Sequence, residues 1–191
     1  STVKPDMRAL KLMPKLLKAR GDDGLLSVLV EEFESEGFVV VGIDDVMEDV
    51  LAEVGVMGRV QPDETQKADI QRGIDVVKAL GALDVGQAAV VQQGFVLGVE
   101  AAEGTDGVIA RCANMQRPGS AAILIKMTKP HQDRRADLPT IGLRTIEAAV
   151  QAGLAGIAVE KDNVIIVERE AVIEAVDEAG LFLYGVSAAT D

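Results

Sequence analysis

A mixed α/β fold, with a mixed β-sheet covered by helices, is the architecture this 191-residue chain predicts. Three features predict it. Short apolar runs rich in Val and Ile recur along the chain, stretches of helical apolar spacing alternate with them, and Gly, Asp or Asn punctuates the joins.

Met7, Leu10, Leu12, Met13, Leu16 and Leu17 lie at helical spacing interrupted by Pro14, and a second helical pattern runs from about Asp23 to Ser35. Between Lys4 and Arg20 there are six basic residues against Asp6 alone, which fits a solvated basic face or a helix lying on a membrane surface. Phe38 to Ile43, FVVVGI, reads as a buried strand, with Asp44 or Asp45 capping a short helix after it. Gln61-Pro62-Asp63 reads as a linker before a long helix carrying Ile70, Ile74, Val77 and Leu80, which places a domain boundary near residue 60, between residues 1–60 and 61–191. Ala88 to Gln92 and Phe95 to Ala101 flank Gln93-Gly94 as a hairpin. A helix over Gly104 to Asn114, a buried strand over Ala121 to Met127 and a helix over Thr140 to Ala152 follow. Ile157 to Glu160 and Val164 to Val167 then flank a turn, Glu170 to Ala179 is helical, and Leu181 to Val186 is a last strand.

Composition narrows the function. The chain is 48% hydrophobic but has no Trp, one Tyr and four Phe, so its core is aliphatic and base recognition by broad aromatic stacking is disfavoured. A net charge of −12 repels nucleic acid and anionic membrane surfaces at long range, so no nucleic-acid partner is expected. The single Cys112 excludes an intrachain disulfide and reads as a buried helix residue. That usage suits a reducing compartment, and no apolar run reaches the roughly twenty residues of a membrane span, so the expected location is cytoplasmic. A start at Ser1 rather than Met suggests a fragment or processed product.

Two constellations could carry chemistry. Glu100, Glu103, Thr105 and Asp106 lie where a strand ends and a helix begins; unpaired backbone amides favour an anion there, and carboxylates at a strand end suit a hard cation. Thr105 or Asp106 as a plain helix cap is the competing account. The second constellation starts at Lys126, the first charge after the buried run. From there to Arg144 five basic residues (Lys126, Lys129, Arg134, Arg135, Arg144) face two acids (Asp133, Asp137), a local balance of +3 in an acidic chain. Loops at the carboxyl ends of sheet strands commonly hold ligands, and arginine grips phosphate through paired hydrogen bonds. Asp133 and Asp137 suit a divalent cation or a water proton, and Pro139-Thr140 is expected to open a helix whose amino end faces the anion. A solvated, salt-bridged loop is the alternative. His131, the only histidine, reads as solvent-exposed, and one histidine excludes a serine triad and a histidine metal cage. Walker-type and GxGxxG phosphate loops are absent.

Leu83-Asp84-Val85-Gly86-Gln87, Glu100-Ala-Ala-Glu103-Gly104-Thr105-Asp106 and Lys126-x-x-Lys129-Pro130-x-Gln132-Asp133-x-Arg135-x-Asp137-x-Pro139-x-Ile141-Gly142-x-x-Thr145 together resemble the LpxI-type UDP-2,3-diacylglucosamine pyrophosphatases of lipid A biosynthesis. The resemblance extends to Ile157-Ala158-Val159-Glu160 and Gly180-Leu181-Phe182, covering the chain from about Asp22 to its end. It implies a Mg2+-dependent hydrolase that cleaves a UDP-linked, doubly acylated glucosamine into UMP and the acylated sugar 1-phosphate, lipid X. It also implies a Rossmann-like amino-terminal domain, here partial and without its opening strands, ahead of a catalytic carboxyl-terminal domain. Work on a lipid implies peripheral contact with the inner membrane, and a homodimer is among the assemblies this leaves open. On this resemblance Asp133 and Asp137 are the catalytic acids. Lys126, Lys129, Arg134, Arg135, Thr105, Thr140 and Thr145 bind substrate, and Asp133, Asp137, Glu103 and Asp106 are metal candidates. Two rival classes remain: a non-enzymatic module binding an anionic metabolite through the same basic loop, and an interaction domain without a small ligand.

Overall fold

The computed structural model describes residues 7–17, 19, 21–130 and 132–187, so the reading of His131 lies outside the described residues. Helices α1 (Met7–Leu16, containing Pro14) and α2 (Gly21–Ser35) open the chain as the apolar spacing requires. A 3-10 turn (Glu48–Val50) and the short strand β1 (Gly55–Val56) lead to α3 (Glu64–Gly81). Asp63 caps α3 in a capping box with Gln66, satisfying two otherwise orphaned amides. The hairpin β2 (Ala88–Gln92) and β3 (Phe95–Val99) turns at Gln93-Gly94, both with positive φ, as a tight hairpin needs. Then come α4 (Gly104–Ala113), β4 (Ile123–Lys126), β5 (Thr140–Ile141), α5 (Leu143–Ala152), β6 (Gly156–Glu160), β7 (Ile165–Ile166), α6 (Arg169–Ala179) and β8 (Phe182–Val186).

Six strands form one sheet in the order β1-β8-β6-β4-β2-β3. β4, β6 and β8 run parallel, while β1, β2 and β3 are antiparallel to their neighbours, so the sheet is mixed. One face packs on α3 through Ile70, Ile74 and Val77 against Ile123, Ile125 and Ala158. The other packs on α4, α5 and α6 through Val108, Cys112, Ala149 and Val176 against Val90, Leu124 and Leu183. Gly73 lets α3 lie directly on β4, because a Cβ there would collide with Ile125. Cys112 is buried, and burial raises its thiol pKa, so it is a core residue.

Three expectations are corrected. Phe38 to Ile43 is not a buried strand: no strand of the described residues pairs with it, and Phe38, Val39, Val41 and Ile43 are exposed. Strand-like composition forms no sheet without a partner for its amides and carbonyls. Neither Asp44 nor Asp45 caps a helix; the 3-10 turn has Met47 at its N-cap with no side-chain bond, while Asp45 accepts from the Gly42 amide at 2.9 Å. Pro139-Thr140 does not open α5. Thr140 and Ile141 pair in parallel with Ile165 and Ile166, and the helix begins only after Gly142. That pairing engages the backbone of this segment and buries Ile141 in the core.

Asp69 fastens α3 to the hairpin. Its buried carboxylate accepts from the Gln93 and Gly94 amides, each at 2.6 Å. Asp69→Ala strands both amides and is expected to cost about 1–3 kcal/mol. Urea unfolding checks this: the midpoint should fall while the m-value stays constant.

Candidate active site

Alternation along β4 sends Ile123 and Ile125 under α3 and turns Leu124 and Lys126 toward α4. Lys126 therefore carries an ammonium into the protein, with only 6% of the residue exposed. Its Nζ donates to Thr105 Oγ1 at 2.9 Å and to the Thr140 carbonyl at 2.8 Å. The Thr105 hydroxyl donates to Glu100 Oε1 at 2.8 Å, and Glu100 Oε2 accepts from the Gln87 amide at 3.1 Å. The start of β2, the end of β3, the first turn of α4 and β5 thus meet at one ammonium. Burial pushes its pKa below the usual lysine value of 10.5, opposed by the negative charge of Glu100, Asp106 and Asp137. Gly86 is required beside this cluster, since a Cβ would collide with the Glu100 carbonyl.

The loop after β4 is a chain of ion pairs. Lys129 Nζ meets Asp84 at 2.7 Å, and the Lys129 amide donates to Gln132 Oε1 at 3.3 Å. The Gln132 amide group donates in turn to Asp137 Oδ2. The Asp133 carbonyl accepts from the Ala136 and Asp137 amides at 2.9 and 3.0 Å, forming one turn that sets the two acids close in space. Arg135 grips both oxygens of Asp133, at 3.0 Å through Nε and 2.8 Å through Nη2, and holds its carboxyl below the ordinary carboxylate range. Asp133 is therefore ionised at neutral pH. Arg134 donates to Asn163 Oδ1, to the Asp162 carbonyl at 2.8 Å and to Asp44 at 2.7 Å.

The remaining sequence candidates divide. Thr105 is at the centre of the lysine cluster rather than a helix cap; Glu103 holds the N-cap position without a side-chain cap bond. Glu103 pairs with Arg111 at 2.6 Å, which lowers its pKa, and Asp106 pairs with Arg144 at 3.0 Å. Thr140 contributes its carbonyl to Lys126 while its hydroxyl turns to the Leu138 carbonyl at 3.0 Å. Thr145 is buried within α5.

Sequence reasoning passed over several members of this edge. Glu160, buried at the end of β6, accepts from the Thr128 amide at 2.8 Å, and the Thr128 hydroxyl donates to the Asn163 carbonyl at 3.1 Å. A charge ending a buried apolar run was the available signal, the same one that marks Lys126. Asp44, the charge after Phe38 to Ile43, carried the same signal and Asp84 did not; neither partner could be read from it, since they lie 90 and 45 residues away.

The metal candidates do not form a cage. Asp133 and Glu103 are committed to arginines, and among the described residues no group of three or more His, Cys, Asp or Glu gathers around one point. Mg2+ needs less: it keeps several waters and is commonly held by one or two carboxylates together with substrate phosphates. Asp137, held by Gln132 rather than by an arginine, fits that smaller demand; Asp106, whose charge also acts on Lys126, would have to leave Arg144 to join it.

The fold and this edge define a mixed α/β enzyme with its polar centre at the carboxyl ends of parallel strands. Residues 1–50 match the LpxI N-terminal domain and residues 53–184 the LpxI C-terminal domain. A Caulobacter vibrioides protein described as UDP-2,3-diacylglucosamine pyrophosphatase LpxI is 46% identical over 194 residues, covering 97% of this chain and 69% of that protein. The chain belongs to the LpxI family and is a hydrolase.

The lysine cluster sets a pH dependence. With the folded pKa of Lys126 below its unfolded value, the unfolded chain binds more protons between the two, and stability rises with pH across that window toward 10.5. Urea unfolding of the native protein and of Lys126→Met at pH 7 and pH 10 should show the difference moving in favour of the native protein at the higher pH.

Proposed function

We propose that this chain hydrolyses the diphosphate of UDP-2,3-diacylglucosamine, giving UMP and 2,3-diacylglucosamine 1-phosphate for lipid A biosynthesis. The observation that carries this reading is the 46% identity, over 97% of the chain, to a relative described by that activity. Water adds across one P–O–P bond. Its oxygen joins one phosphorus, the bridging oxygen leaves on the other phosphate, and the released protons pass to solvent or a neighbouring base.

The chain's own residues suit that reaction. Lys126 presents a fixed positive charge in a poorly solvated place, where it acts on phosphoryl oxygens more strongly than a surface lysine. Lys129, Arg134 and Arg135 extend the positive field, and the α4 amino end beside Thr105 has no side-chain cap bond and so adds the positive end of the helix dipole. Thr105, Thr140 and Thr145 complete the proposed substrate contacts. Asp133 is kept ionised by Arg135 and so suits holding and orienting a water or a hydrated cation better than taking up a proton. Asp137, steadied by Gln132, is its neighbour for the water.

Mg2+ is the cofactor of this proposal. Asp137 would hold it with the substrate's phosphates, joined by Asp106 once released from Arg144, and it would neutralise charge on the phosphoryl oxygens. Among the described residues no helix is long and apolar enough to cross a membrane. Peripheral work at the cytoplasmic face of the inner membrane is therefore part of the proposal, as the lipid substrate requires.

UMP release tests the reading. Purified chain with substrate and Mg2+ should release UMP, chelator should stop it, and readdition of Mg2+ should restore it. Asp133→Ala is expected to lower kcat by about a hundredfold or more while the urea midpoint stays near that of the native protein. Undiminished turnover in that variant would remove Asp133 from the mechanism.

A further inference from the structure

The run Leu83-Asp84-Val85-Gly86-Gln87 joins α3 to β2 and enters the Lys126 cluster only through the backbone amide of Gln87. Its course is tightly set. The Asp84 amide returns to the Gly81 carbonyl at 3.0 Å and the Val85 amide to the Leu80 carbonyl at 3.1 Å, while Asp84 takes a left-handed φ of 54°. Gly86 then passes close against the Glu100 carbonyl. Gln87 is gripped by two neighbouring segments: its amide donates to Glu100 Oε2 at 3.1 Å, and its carbonyl accepts from the Met127 amide at 2.9 Å. The next residue, Ala88, stands opposite Lys126. Gln87 is thereby fixed beside the lysine cluster, shortly after the carboxylate that holds Lys129.

The Gln87 side chain ends in an unpaired acceptor. Its Oε1 is buried and accepts no hydrogen bond, and among the described residues it is the one buried side-chain oxygen or nitrogen in that condition. Other glutamines of the chain behave differently. Gln92, Gln116 and Gln132 place Oε1 on the backbone amides of Arg117, Ala122 and Lys129. Leaving a buried oxygen unpaired destabilises a fold, whereas a methionine of similar length fills the same space without that cost. A polar group kept at the expense of stability beside an active centre points to a partner that arrives from outside.

The chemistry of the oxygen narrows that partner. A carboxamide oxygen only accepts, so phosphate oxygens, which are acceptors too, gain nothing from it. Lys126 and Lys129 suit the diphosphate, and Gln87 Oε1 suits a neutral N–H or O–H donor held next to it. Both halves of a UDP-linked, acylated glucosamine carry such donors. Uracil N3–H and the ribose hydroxyls belong to one half, the sugar's amide N–H and unacylated hydroxyls to the other.

We propose that Gln87 is a substrate-recognition residue whose Oε1 accepts a hydrogen bond from a neutral donor flanking the diphosphate. This deepens the pyrophosphatase reading and rests on it for the identity of the ligand. The bond is present before and during the reaction, so its loss falls on KM rather than on kcat. One neutral hydrogen bond corresponds to about a three- to tenfold change in affinity.

The test uses the full chain and Gln87→Met, which removes the acceptor and keeps the length. KM for UMP release should rise about three- to tenfold. Calorimetry with UMP and with a short-chain 2,3-diacylglucosamine 1-phosphate should show the same loss for one product, and that product carries the donor. The urea midpoint of the variant should equal or exceed the native value, because an orphaned acceptor has been removed. Native KM with native affinity for both products would overturn the proposal. So would a lowered midpoint or failure to fold, since either marks Gln87 as part of the folded framework. The underlying reading fails separately. Native turnover with unaltered KM and product affinities in the variant removes Gln87 and leaves the hydrolase, whereas product binding that depends on Gln87 without UMP release by the native chain does the opposite.

Discussion

The buried ammonium of Lys126 is the constraint around which the catalytic edge is built. A lysine withdrawn from water is tolerated only where acceptors and negative charge replace its hydration. Thr105, the Thr140 carbonyl and the nearby charge of Glu100 do so here, and each comes from a different segment. The mixed sheet makes that convergence possible. β2 runs antiparallel to β4, so the returning strand β3 ends at the same edge as β4 and delivers Glu100 and the start of α4 beside Lys126. Parallel β6 brings Glu160 to that edge as well. An all-parallel arrangement of these strands would leave Glu100 at this edge but carry the start of β2, with Gly86 and Gln87, to the opposite one.

Around this centre the chain manages an excess of negative charge. Its total is −12, yet the loop after β4 is locally positive and nearly every cation in it has an acidic or carbonyl partner. Those partners hold the side chains in place before any ligand arrives, which lowers the ordering cost of binding. They also differ in origin. Asp133, Asp162 and Asn163 belong to the catalytic unit, whereas Glu34 and Asp44 reach in from the amino-terminal segment. The first group therefore fixes geometry, and the second links the loop to the amino-terminal family domain.

Much of the fold was legible because the signals are local. Ile70, Ile74 and Val77 recur at helical spacing, Gln93-Gly94 permits a hairpin, and Ala121 to Met127 is too apolar to be anything but core. Two of the three failures share one cause. Phe38 to Ile43 has the residues of a buried strand, and Thr140 precedes a helical pattern, but pairing with another strand decides both and is not written in either segment.

For the site, sequence by itself determined the chemistry on offer: a lysine ending a core strand, paired aspartates in a basic loop, a threonine at a strand-to-helix junction, and a combination of motifs specific enough to point to the family. Tertiary structure decided which groups meet. It joined Lys126 to Thr105 and Glu100, and brought Asp44 across 90 residues to Arg134. The physical reason is that residue type follows from sequence alone. Burial and hydrogen-bond partnership, which set charge state and reactivity, arise only when distant segments pack.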